Sequence, residues 1–67
     1  MEISARNQLP ATVKSVTLGN VMAEVVMTVG NYEIVAAITR SSVERMDIKE
    51  GDRVTAMIKA TEVMVAK

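Results

Sequence analysis

The sequence contains no cysteine and no histidine. This excludes disulfides and most transition-metal sites, because those sites use thiolate or imidazole ligands. It also removes the usual general base and the thiol nucleophile from any catalytic site. The three glycines stand too far apart to form a phosphate-binding loop. We therefore expect a protein that is not an enzyme and that ligates no metal ion directly.

The chain has almost no aromatic residues, and its net charge is zero. Tyr32 is the only aromatic residue, and eight basic side chains balance eight acidic ones. Modules that bind nucleic acid use aromatic stacking platforms in a basic groove, so that function is a weak alternative here. No apolar stretch approaches the roughly 20 residues that span a bilayer, and residues 1–4 lack the basic start of a signal peptide. The expectation is a cytoplasmic protein with no membrane or nucleic-acid partner.

The length of 67 residues predicts one small domain, covering residues 1–67. A domain this short buries only about 60% of its unfolded surface and usually needs a disulfide, a metal or a second subunit. Its core must be built from Val, Ile, Leu, Ala and Met, which makes that core thin. Oligomerisation is the remaining means of stabilisation, so we expect a homo-oligomer.

Alternating apolar residues predict a β-hairpin in the middle of the chain. Every second residue is apolar from 21 to 29, and the alternation resumes over 32–39 after a turn at Gly30 and Asn31. The other face of 21–29 is also half apolar, which favours contact with a second surface. Upstream the alternation slips near Lys14 and Ser15, as a β-bulge would cause.

A short helix is predicted after the hairpin. Ser41 and Glu44 have the spacing of a capping box with Ser41 as the N-cap, and the helix should end by Asp47. Two further strands are predicted around 54–58 and 63–65. The predicted order along the chain is three strands, a short helix and two strands. This is the order of an all-β, OB-like five-stranded Greek-key barrel, with the helix between strands 3 and 4.

Two segments place a cation beside small hydroxyl or amide groups. They are Ser-Ala-Arg-Asn-Gln-Leu at 4–9 and Ile-Lys-Ala-Thr at 58–61. Such donors suit an anion that only accepts hydrogen bonds. By residue type alone, Arg6 and Lys59 are more often solvated surface charges. Thr39 and Ser42, which add hydroxyls near the predicted helix, are more often ordinary strand and capping residues.

The same segments resemble the molbindins, the small Mop family that binds molybdate and tungstate. Residues 4–9 look like the molbindin opening, 37–43 like its entry into a short helix, and 58–64 like its closing strand. The resemblance covers nearly the whole chain. It implies an OB-like barrel whose subunits pair by exchanging strand contacts, with three dimers forming a hexamer and oxyanions bound at subunit interfaces.

The resemblance also implies which residues hold the oxyanion, molybdate or tungstate. The first site would be shared between two subunits: Ser4, Ala5 and Arg6 of one, and Thr39, Ser42, Lys59 and Ala60 of its neighbour.

A second class of site in the family is lined largely by main chain, and the candidate here is the turn of Gly19, Asn20 and Val21. Arg40 is an additional cation before the helix.

The function that the resemblance implies is storage or buffering of molybdenum. An oxyanion-sensing regulatory subunit is the alternative, because similar domains occur attached to transcription regulators and transporter ATPases.

Overall fold

The computed structural model of the chain describes residues 3–67, so Met1 and Glu2 lie outside the described part. One antiparallel sheet has the order β3-β2-β1-β4. The expected all-β fold with one short helix between the third and fourth strands is confirmed. The elements are β1 (Asn7–Leu18), β2 (Met22–Val29), β3 (Tyr32–Thr39), α1 (Arg40–Met46), β4 (Arg53–Ile58) and a 3₁₀ turn (Ala60–Glu62).

The predicted hairpin is formed by β2 and β3. Val29 pairs with Tyr32, so Gly30 and Asn31 make a two-residue turn, with Gly30 at a positive φ of 60° that favours glycine. On β2 the predicted inward residues Ala23, Val25 and Met27 are buried. The period-two pattern therefore placed the correct face of this strand against the core.

The predicted bulge in β1 is also present. The β1–β2 register shifts between Val13 and Ser15, which leaves Lys14 as the extra residue. β1 pairs with β4 over its first half and with β2 over its second half, sharing only Thr12 between the two ladders. The two ends of β1 therefore lie beside different parts of the chain, and this arrangement positions the candidate site residues.

The predicted N-cap of α1 is wrong. The cap is Thr39, whose Oγ1 accepts a hydrogen bond from the backbone N of Ser42 at 3.1 Å, and Ser41 lies inside the first turn. Thr39 ends β3 in an extended conformation (φ −71°, ψ 147°), which is the backbone an N-cap needs. The predicted helix end is confirmed, because Asp47 follows Met46 in the left-handed conformation at φ 52°.

The two possible caps make a matched pair for mutation. Thr39→Ala should lower the free energy of unfolding by about 0.5–2 kcal/mol, because it removes the hydroxyl that accepts the Ser42 N–H. Ser41→Ala should cost clearly less, because Ser41 caps no backbone group. Urea denaturation of the two variants measures the difference. A larger loss for Ser41→Ala would contradict the assignment of Thr39 as the cap.

The predicted fifth strand is also wrong. The described residues form four strands, and Val63 ends the 3₁₀ turn without entering a ladder. Met64 and Val65 are each 93% exposed. An alternating apolar pattern gives a strand its faces, but a strand also needs a neighbour for its backbone hydrogen bonds. Within one chain this segment has no such neighbour among the described residues.

The core is thin, as expected. Its members are small or medium side chains, and the most buried of them is Val13, at 2% exposure. A groove of about 880 Å³ remains open between β3 and β4, which are the two outer strands of the sheet. The buried cluster is Ala11, Val13, Ala23, Val25, Met27, Val43 and Ala56.

No helix in the part of the chain that the structure describes is long and apolar enough to cross a membrane.

Candidate functional site

The two cationic segments lie at the same end of the sheet, where β1 begins and β4 ends. Asn7, the first residue of β1, pairs with Ile58, the last residue of β4, and Asn7 Nδ2 donates to the Ile58 carbonyl at 3.1 Å. Because the two strands are antiparallel, residues 4–6 and residues 59–60 leave the sheet side by side. We call this region, residues 4–6 and 59–60, the β1–β4 end.

One small side chain anchors the β1–β4 end. Ala5 is buried, at 8% exposure, and its carbonyl accepts a hydrogen bond from Gln8 Nε2 at 3.0 Å. Ser4, Arg6 and Lys59 are exposed on either side of it. Neither Arg6 nor Lys59 forms an ion pair with a carboxylate of the described residues. Their charges are therefore available to an anion.

Thr39 and Ser42 form a hydroxyl pair at the start of α1. Their Oγ1 and Oγ atoms lie 2.7 Å apart, within hydrogen-bond distance. Thr39 Oγ1 accepts from Ser42 N, and Ser42 Oγ accepts from Arg45 Nη2 at 3.2 Å. Each hydroxyl thus accepts a hydrogen bond from a nitrogen donor, and the contact between the two hydroxyls uses one of their two protons, which leaves the other proton to be donated.

A single chain does not bring all seven first-site candidates together. Thr39 pairs with Met22, beside the end of β1 at Leu18, whereas Arg6 precedes its start at Asn7. The two groups therefore lie beside opposite ends of β1.

The turn of Gly19, Asn20 and Val21, here the 19–21 turn, packs against the start of α1. The backbone N of Arg40 donates to the Val21 carbonyl at 2.8 Å, and Arg40 Nη1 donates to the Gly19 carbonyl at 3.3 Å. The turn is also tight, since a Cβ on Gly19 would lie 2.9 Å from the Met22 carbonyl oxygen. The second-site candidates thus neighbour the Thr39–Ser42 pair.

Sequence reasoning missed Arg45. This residue supplies a guanidinium donor to the Ser42 hydroxyl. The signal that could have found it is the spacing of three residues, which places Ser42 and Arg45 on one face of a helix.

Other charged groups lie outside these regions. In the loop after α1, a hydrogen bond from Lys49 Nζ to the Asp47 carboxylate at 3.1 Å, helped by the charges of Asp47 and Asp52, raises the pKa of Lys49 above its usual value. Across residues 3–67, no group of three or more His, Cys, Asp or Glu side chains could hold a metal ion. The arrangement offers hydrogen-bond donors and cations to an anion.

Comparison with known proteins decides the family. The TOBE domain family matches residues 3–65 of the chain. Molybdenum-pterin-binding protein 3 of Clostridium pasteurianum is 46% identical over 66 residues, covering 97% of this chain and 97% of that protein. The chain belongs to the molbindin (Mop) family of TOBE-domain proteins.

Solved molbindin structures share the fold over the whole chain. A molybdate binding protein from Sporomusa ovata is 54% identical, with a TM-score of 0.96 and full coverage of both chains. MopII from Clostridium pasteurianum is 43% identical, with a TM-score of 0.91 over 98% of this chain and all of that one. The sheet and short helix described above are therefore the OB-like molbindin architecture, and the resemblance noted in the sequence is confirmed.

Proposed function

We propose that this molbindin binds molybdate or tungstate at interfaces between identical subunits, and that it serves as a cytoplasmic store that buffers molybdenum. The proposed assembly is a hexamer built as a trimer of dimers. The observation that carries the proposal is the full-length similarity, at 54% identity and a TM-score of 0.96, to a protein named for molybdate binding.

The chemistry of the β1–β4 end supports an oxyanion ligand. Molybdate is a dianion whose oxygens only accept hydrogen bonds, so its site needs donors and no carboxylate. Arg6 offers a fork of N–H groups, Lys59 a compact charge and Ser4 a hydroxyl. Ala5 and Ala60 offer main-chain N–H groups. Segments 3–6 and 58–61 contain no carboxylate.

The shape of the single chain supports an interfacial site. Thr39 and Ser42 lie beside the end of β1, whereas Arg6 and Lys59 lie at its start. The groove between β3 and β4 and the exposed Met64 and Val65 leave apolar surface that a neighbouring subunit would cover. In the proposed assembly, subunit contacts bury this surface and bring the two groups together.

Two-fold symmetry is compatible with Arg6 and Lys59 of one chain serving different sites. In a symmetric dimer every contact between the chains occurs twice, so a site built from Arg6 of one chain and Lys59 of the other is accompanied by its symmetric equivalent. The position of both residues at the β1–β4 end allows two equivalent sites of this kind. Thr39 and Ser42 then complete the proposed first site from a neighbouring subunit.

A second class of site is proposed at the 19–21 turn. Asn20 and Val21 are exposed, and the turn presents main-chain groups beside a cation, Arg40. A site of this kind holds an anion through backbone N–H groups.

Calorimetric titration of the protein with molybdate tests the proposed function. We expect saturable binding of molybdate, which tungstate displaces because the two dianions share charge and nearly share size. A titration with sodium chloride at the same ionic strength serves as the blank. If molybdate gives no more heat than this blank and leaves the protein's mass unchanged in native mass spectrometry, the proposed function is wrong.

A further inference from the structure

Arg40 holds both carbonyl groups that flank the centre of the 19–21 turn. Its backbone N donates to the Val21 carbonyl at 2.8 Å, and its guanidinium Nη1 donates to the Gly19 carbonyl at 3.3 Å. Carbonyl oxygens repel an oxyanion, because both are hydrogen-bond acceptors with negative partial charge. By engaging these two oxygens, Arg40 removes the nearest acceptors from the surface of the turn.

The donors of the same turn remain available. Gly19 N donates to the Met22 carbonyl at 2.8 Å, but the backbone N–H groups of Asn20 and Val21 donate to no acceptor in residues 3–67. Both residues are exposed. Successive free N–H groups in a turn form a concavity that binds anions. The 19–21 turn thus exposes two donors, while Arg40 engages two of its acceptors, one through its guanidinium and one through its backbone N–H.

Among the described residues, one carboxylate forms an ion pair with Arg40. Glu44 Oε2 lies 3.5 Å from Arg40 Nε, and this carboxylate is 60% exposed at its side chain. A solvated pair of this kind is weak and does not cancel the guanidinium charge in full. The guanidinium fork has further N–H groups beyond those directed at Gly19 and Glu44.

We propose that Arg40 is a positioning residue for the second oxyanion site: it fixes the 19–21 turn with its acceptors engaged and its donors outward, and it adds a positive charge beside the bound dianion. This inference rests on the proposed function. It assigns to Arg40 a role separate from that of Arg6 and Lys59, which act at the first site.

Titrations of the full-length oligomer with molybdate test this role, with bound ions counted by native mass spectrometry. We expect two classes of site in the unmodified protein. Arg40→Leu should weaken the second class about tenfold or more and leave the first class unchanged, because a hydrogen bond to a charged group and one cation are lost. Arg40→Lys should restore part of the affinity, since it keeps the charge. Lys59→Met should give the converse, a weakened first class with an intact second class.

Arg53→Leu is the matched control, because Arg53 is an exposed cation at the start of β4 with no contact to the turn. It changes net charge by the same amount and should leave both classes intact. The inference is overturned if Arg40→Leu retains both classes, if Arg53→Leu weakens the second class equally, or if the unmodified protein shows only one class. The proposed function fails separately, when the unmodified protein binds no molybdate at all.

Discussion

Arg6→Ala should weaken molybdate binding at the first site by about 1.5–3 kcal/mol, which is roughly ten- to a hundredfold. Arg6 is exposed and makes no ion pair with the described residues. The substitution therefore removes mainly the charge-assisted hydrogen bonds from Arg6 to the anion. The fold should survive, because Arg6 is not part of the core. Calorimetry measures the affinity. Arg53→Ala is the control, and an equal loss in both variants would contradict a specific role for Arg6.

Lys59→Met extends this test to the other cation of the β1–β4 end. Methionine keeps much of the length and apolar packing of lysine while deleting the charge. The affinity for molybdate should fall while the apo oligomer stays intact, and the loss should be larger at low salt than at high salt. If the oligomer instead dissociates and the affinity per folded site is unchanged, Lys59 is a structural interface residue and does not bind the anion.

Val43→Asp should lower the free energy of unfolding by about 3 kcal/mol or more. Val43 is the one buried residue of α1, at 5% exposure, and it packs in the central cluster. A carboxylate there would lose its hydration with no cation in the cluster to pair with. Because α1 carries Ser42 and begins directly after Thr39, molybdate affinity at the first site should fall as well.

Urea denaturation and calorimetry measure the two effects of Val43→Asp. Ser41→Asp is the matched control for stability, because it introduces the same side chain at an exposed position in the first turn of the same helix, where an acidic group is tolerated or slightly favourable. Equal stability losses in the two variants would show that Val43 does not anchor the helix.

Local patterns in the sequence predicted much of the fold. The hairpin followed from alternation over 21–29 and 32–39, and the bulge from a slip of that alternation near Lys14. The capping prediction failed because two hydroxyl residues, Thr39 and Ser41, compete for one position, and the extended end of β3 selects Thr39. The fifth strand failed because alternation describes the faces of a strand and does not supply its neighbour.

Less of the candidate site than of the fold could be predicted from the sequence. Residue types identified Arg6 and Lys59 as donors for an anion, but their approach at one end of the sheet depends on the β1–β4 register, in which Asn7 meets Ile58. The sequence separation of these partners, 51 residues, gives no local signal. The contact between Arg40 and Gly19 spans 21 residues and likewise depends on strand pairing.

Subunit mixing tests the interfacial site most directly. Arg6→Ala and Lys59→Met chains are unfolded together, refolded, and compared with each variant alone by native mass spectrometry with molybdate. A site shared between subunits can take Lys59 from an Arg6→Ala chain and Arg6 from a Lys59→Met chain. Random mixing in equal amounts should therefore restore about a quarter of the first-class sites. If the mixed oligomer binds no more molybdate than either variant alone, Arg6 and Lys59 act within one chain, and the proposed site, with these two cations on different subunits, is wrong.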